Sequence, residues 1–163
     1  VAMLPVLLAR AMVPVIEDQP SSGFVTFLWA APAATLAALV FGSAETGAFA
    51  LLPLYGTAIG LDVAGAATLV SLMSLGNLAF QVPIGLIADR IDRRKVLLAC
   101  GLVGAAGMLI ATFVTLPVGW LRVLLFVWGG IVAALYTVGL AHLGSRFRGA
   151  DLAQANAAFV VMY

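Results

Sequence analysis

Glu45 stands in the run Gly42-Ser-Ala-Glu45-Thr-Gly, near the middle of an apolar stretch that carries no other charge. An ionised carboxylate at the centre of a membrane costs about 3 kcal/mol on insertion scales, so it must face a cavity or a partner. It suits a cavity acid that binds a proton or a cationic group of a solute, or else a carboxyl hydrogen-bonded to Ser43, Thr46 or a neighbouring helix. On the next stretch Ser71, Ser74, Asn77 and Gln81 recur at spacings that place them on one helical face. Such a stripe either joins helices by hydrogen bonds or touches solute. Asn77 lies nearest the midplane, at a depth similar to Glu45. Further on, the small residues Gly129, Gly130, Ala133 and Ala134 precede Tyr136 and Thr137, two polar handles. The candidate solute or proton cavity is therefore Glu45, Asn77, Gln81 and Tyr136. His142 falls near the end of its stretch, where an interfacial histidine beside headgroups is expected over a proton relay. The single cysteine, Cys100, and the single histidine exclude an intrachain disulfide and any familiar zinc spacing. No metal site and no cofactor is expected. Nothing pairs a nucleophile with a base or forms a phosphate-binding glycine loop, so an enzyme is not expected.

The elements that must carry these groups follow from composition. Of the 163 residues, 64% are hydrophobic and 9% charged, against roughly 25% charged in globular domains, which excludes a domain bathed in water. Eight Lys+Arg against seven Asp+Glu leave a net charge of +1, with no basic excess for a nucleic-acid backbone. Charged residues divide the chain into apolar blocks at Leu28 to Tyr55, Val63 to Ala88, Val96 to Leu116 and Leu121 to Leu143. Each is long enough for the ~20 residues that a helix needs to cross a bilayer. Val96 to Leu116, at a rise of 1.5 Å per residue, spans ~31 Å. Helix is favoured over strand because open strands would leave unpaired amides in lipid. The predicted fold class is an all-α polytopic transmembrane bundle with four complete spans and two partial ones.

The punctuation agrees with that division. Asp62 is placed to cap the helix that starts at Val63, and Pro117 with Gly119 turns the chain between the third and fourth spans. Asp151 and Gln154 have capping-box spacing, which predicts a helix start at Leu152. The third span, with Gly101, Gly104 and Gly107 but almost no polar groups, is expected to serve packing and lipid contact. In sum, residues 1–16 are expected to end a preceding helix, 17–27 to form a cytoplasmic linker, 28–143 to form four transmembrane helices and 152–163 to begin another. Threading the spans back and forth puts Arg10, Arg90, Arg93, Arg94, Lys95, Arg146 and Arg148 on one side and only Arg122 on the other. That side is assigned to the cytoplasm.

The turn between the second and third spans reads Gly85-Leu-Ile-Ala-Asp89-Arg90-Ile-Asp92-Arg93-Arg94-Lys95. It resembles the loop signature of the major facilitator superfamily. Gly85, Asp89, Arg90, Arg93, Arg94 and Lys95 match, and Asp92 stands where the family usually has glycine. Gly85 is expected to let two helices approach. The resemblance implies that Asp89 latches the outward-facing state against a helix N-terminus and a basic residue of the opposite half; without that half, spacing makes Arg93, four residues on, or the adjacent Arg90 its expected local partner. It further implies a partial fold of that superfamily. The apolar start before a short linker and the Phe126-Val-Trp-Gly-Gly run suit the C-terminal six-helix half. Because the chain opens on Val1 and stops at Tyr163 inside an apolar run, a fragment is expected, with the N-terminal half as its missing partner. The function implied is secondary active transport of a small solute by alternating access, with a coupled proton and membrane lipid as further partners. The alternative is a non-transporting scaffold or a subunit of a polytopic membrane enzyme. The expected location is the plasma (inner) membrane, multi-pass, and the preference for Arg over Lys points to a bacterium.

Overall fold

The computed structural model of the chain describes Thr26 and residues 29–163. The expected stub at 1–16, its Arg10, and the linker 17–27 apart from Thr26 lie outside the described residues. Among the described residues five bounded helices follow in order: α1 Pro32–Ala58, α2 Val63–Arg90, α3 Arg93–Phe113, α4 Val118–Arg146 and α5 Gly149–Met162. The first four are long and apolar enough to cross a membrane. The fold is an all-α polytopic helical bundle with no strand among the described residues.

Helix ends depart from the apolar blocks for local reasons. α1 begins at Pro32, after a bend at Ala31 that follows helical Trp29 and Ala30, with the proline in the first turn, where its missing N–H is no loss. α3 begins at Arg93, ahead of the expected Val96, because the Asp92 carboxylate accepts a 2.9 Å hydrogen bond from the Arg94 amide and caps the helix. The aspartate that replaces the signature glycine thus starts the next helix. α3 ends at Phe113 instead of Leu116, since Pro117 disfavours helical geometry in the residue before it. Asp62 caps α2 through the Gly65 amide at 2.8 Å. The capping box expected at Asp151 is corrected. α5 starts three residues earlier at Gly149, whose φ of +56° lets the chain reverse after Arg148, and Asp151 falls inside the first turn. There its charge suits the positive end of the helix dipole.

α4 is the centre of the bundle. Within its most apolar stretch 56% of residues are buried, against 22% in α2 and in α3, so α4 is packed over more of its circumference than they are, though Val123 and Val127 still face outwards. Small residues make this possible. A Cβ at Gly76 of α2 would strike the Phe126 carbonyl of α4, and one at Gly129 would strike the Met73 carbonyl of α2. The two backbones therefore approach closely along the face that carries Asn77. α3 docks on α4 through Trp128, whose buried indole N–H donates to the Gly104 carbonyl at 2.8 Å. Gly107 leaves the room that the indole ring occupies. The outer face of α3 exposes Leu98, Leu102, Leu109 and Phe113, a surface suited to lipid. α5 packs on α1 and α4 through Ala155, Ala158 and Phe159.

Candidate functional site

Glu45 lies at the midpoint of α1 and Asn77 at the midpoint of α2, so both sit at the depth farthest from either membrane surface. Gln81 is one turn beyond Asn77 on the same face, and its amide donates to the Asn77 oxygen at 3.1 Å. Tyr136 projects from α4. Glu45, Asn77, Gln81 and Tyr136 line one cleft of about 220 Å³, together with Phe41, Thr137 and Tyr163. A smaller recess of about 20 Å³ joins Glu45 and Asn77 to Ser74 and Trp128, enough for a single water. Ser71, the first member of the stripe, does not line either cavity. Its hydroxyl donates back to the Ala67 carbonyl of its own helix at 3.2 Å.

Two aromatic residues join the site that sequence reading did not single out. The Tyr163 hydroxyl donates to the Glu45 carboxylate, so the acid has a hydrogen-bond donor from across the bundle. Phe41 stacks on Tyr163 with ring centroids 5.6 Å apart and tilts against Tyr136 at 5.7 Å. Tyr136 in turn meets Phe159 at 5.2 Å. Phe41 precedes Glu45 by one helical turn, a spacing that places the two on one face and could have revealed it. No local pattern ties Tyr163 to Glu45, because only the docking of α5 on α1 brings them together. The cleft therefore combines one acid, two carboxamides and three aromatic rings. It can hydrogen-bond a polar group at its base and hold an apolar or cationic body against the rings.

The charged turn lies at the far end of α2. Asp89 is exposed and pairs with Arg93 at 3.1 Å, four residues on. The same guanidinium donates to the Ala141 carbonyl of α4 at 3.1 Å, so Arg93 ties three helices together. Arg90 and Lys95 are exposed. Gly85 corrects its expectation: among the described residues nothing lies within 4 Å of a Cβ built there, so no described helix approaches it. His142 corrects another. It is buried at 8% exposure instead of lying among headgroups, and its Nε2 has no hydrogen-bond partner among the described residues. No group of His, Cys, Asp and Glu among the described residues could hold a metal ion.

Residues 34–163 match the Major Facilitator Superfamily. One curated relative, the "Uncharacterized MFS-type transporter YfkF" of Bacillus subtilis (strain 168), is 30% identical over 105 residues, covering 63% of this chain and 26% of the relative. The chain thus spans about a quarter of that relative's length. No solved structure matches the chain.

Proposed function

The chain belongs to the major facilitator superfamily, and from that premise we propose that it forms part of a secondary transporter that carries a small solute by alternating access. The observation that carries this reading is the cleft in which Glu45, Asn77, Gln81 and Tyr136 meet at mid-depth. Transporters of this kind bind at the bilayer midplane and rock two bundles about the site. The cleft is smaller than the roughly 300–1,000 Å³ of a drug-sized ligand site. A second bundle, the other half of the same protein, would close it from the opposite side. This is a carrier rather than an enzyme, placed as a multi-pass protein in a bacterial inner membrane.

Within that reading Glu45 takes up and releases the coupling proton. When ionised it is stabilised by the Tyr163 hydroxyl, and when protonated it becomes a donor to an acceptor group of the solute. Asn77 and Gln81, already bonded to each other, keep a second face of polar groups toward the solute. At the cytoplasmic end the Asp89–Arg93 pair is the resting state of a latch that exchanges its local partner for one on the second bundle. Breaking an exposed pair costs no more than about 1 kcal/mol, small enough for a transport cycle to reverse.

The test is uptake into proteoliposomes by the complete transporter under an imposed pH gradient. Glu45→Gln preserves size and hydrogen bonding but cannot exchange a proton. We expect gradient-driven uptake to be lost while exchange down a solute gradient persists and folded yield stays near wild type. Loss of folded protein in step with activity would instead make Glu45 a structural carboxyl.

A further inference from the structure

Two cavities on the cytoplasmic half share one residue. The first is an apolar groove of about 410 Å³ between α1 and α3, walled by Leu36, Val40, Leu98 and Leu102, open beside Gly101 and floored by Leu135. Arg94 stands at its end. The second is a polar basin of about 550 Å³ between the α2–α3 turn and the end of α4, lined by Asp89, Asp92, Arg93, Arg94, His142 and Arg146. Arg94 belongs to both.

The basin is built to receive an anion. Its two carboxylates are already engaged, Asp89 by the Arg93 guanidinium and Asp92 by the Arg94 backbone amide. Arg94 and Arg146 carry no ion pair among the described residues. The His142 imidazole, more than nine-tenths buried, lines the basin with its Nε2 unpartnered, and the Arg93 Nε is likewise buried without a partner. Buried polar atoms left unsatisfied are costly, and a phosphate oxygen accepts from arginine forks and from an imidazole N–H.

We propose that groove and basin together hold one anionic phospholipid of the cytoplasmic leaflet, with its phosphate in the basin and one acyl chain along the groove. The groove runs from Arg94 to Leu102, ~12 Å at 1.5 Å per residue, and so stays within one leaflet of a hydrocarbon core about 30 Å thick. Its polar end coincides with the arginine side assigned to the cytoplasm, where anionic headgroups lie. A soluble phosphate would satisfy the basin but leave the groove without an occupant. The site lies apart from the Glu45 cleft, although the basin shares Asp89 and Arg93 with the proposed latch, and lipid retention can be read without a transport assay.

The purified full chain in mild detergent would be incubated with dioleoyl phosphatidylglycerol or dioleoyl phosphatidylcholine, with retained lipid counted by native mass spectrometry. Inorganic phosphate would be added as competitor. We expect phosphatidylglycerol to be retained in excess over phosphatidylcholine and to resist phosphate. Arg94→Gln should weaken retention about fivefold, and Arg94→Lys should recover most of it. Gly101→Leu, at a position where nothing among the described residues lies within 4 Å of a Cβ, should fill the groove and weaken retention without disturbing the packing of the described helices. Equal retention of the two lipids would overturn the proposal, as would Arg94→Gln and Gly101→Leu both binding like wild type. Displacement by phosphate with no effect of Gly101→Leu would assign the basin to a soluble anion and overturn the lipid assignment.

Discussion

Gly76 and Gly85 lie on the same helix at opposite extremes of crowding, and replacing each by alanine separates packing from signature. At Gly76 the new Cβ would overlap the Phe126 carbonyl of α4. That atom belongs to a helix backbone and cannot rotate aside, so the two helices must part. Overpacking of this kind costs about 3 kcal/mol at the upper end of its range, offset by about 1 kcal/mol from the better helix propensity of alanine. A net loss of about 2 kcal/mol corresponds to a midpoint lower by roughly 4–8 °C for a chain of this size. At Gly85 nothing among the described residues lies within 4 Å, so only the propensity term remains, and the midpoint should hold or rise by about 1–4 °C. The lone cysteine supplies the assay: Cys100 is buried at 7% exposure on α3, and a thiol-reactive dye will label it only as the bundle opens. Heating the two variants beside wild type in one detergent gives the comparison directly. A Gly76→Ala midpoint at or above wild type would refute the close α2–α4 approach. A drop of several degrees for Gly85→Ala would restore the helix contact expected from the signature.

Asp89→Asn should cost no more than about 1 kcal/mol of stability, since its partner Arg93 meets a carboxylate that is 66% exposed. In the complete transporter it should shift labelling of cysteines placed on the two faces, and an unchanged pattern would count against the latch. Trp128→Phe removes the N–H donor to the Gly104 carbonyl while keeping an aromatic ring. The expected loss is about 0.5–1.5 kcal/mol, read as earlier Cys100 labelling on heating, and restoration by no second-site change at Gly107 would be expected because the ring still fits there.

What could be read from the residues was whatever obeys one-dimensional periodicity. An apolar block of membrane length announces a helix because the solvent removes every other way of pairing its amides, and the three-and-four spacing of Ser74, Asn77 and Gln81 announces one face. The depth of Glu45 and Asn77 follows from counting residues, so their meeting in one cleft needs only that α1 and α2 be neighbours. The helix starts at Pro32 and Arg93 were also within reach, one as a proline in a first turn and the other as the Asp92 cap. Contacts between helices distant in sequence carry no such signal. Tyr163 reaches Glu45 only because Ala155, Ala158 and Phe159 seat α5 in the bundle, and a reading based on single helices cannot anticipate which end of α5 meets which turn of α1.

The same distinction explains why Gly85 and His142 departed from expectation. A glycine in a signature is read as a close approach, yet its meaning depends on which helix passes it, and α4 crosses α2 at Gly76 instead. A histidine near a helix end is read as interfacial, yet α4 is the central helix, so its end is enclosed by the α2–α3 turn and by Arg93 reaching the Ala141 carbonyl. Near the end of α4 His142 and Leu143 are buried while Ala141 and residues 144–146 stay exposed. A polar group on the buried side of such a helix end therefore faces protein or a bound anion before it faces water, and His142 is placed where the charged turn and the end of α4 must share whatever fills the basin.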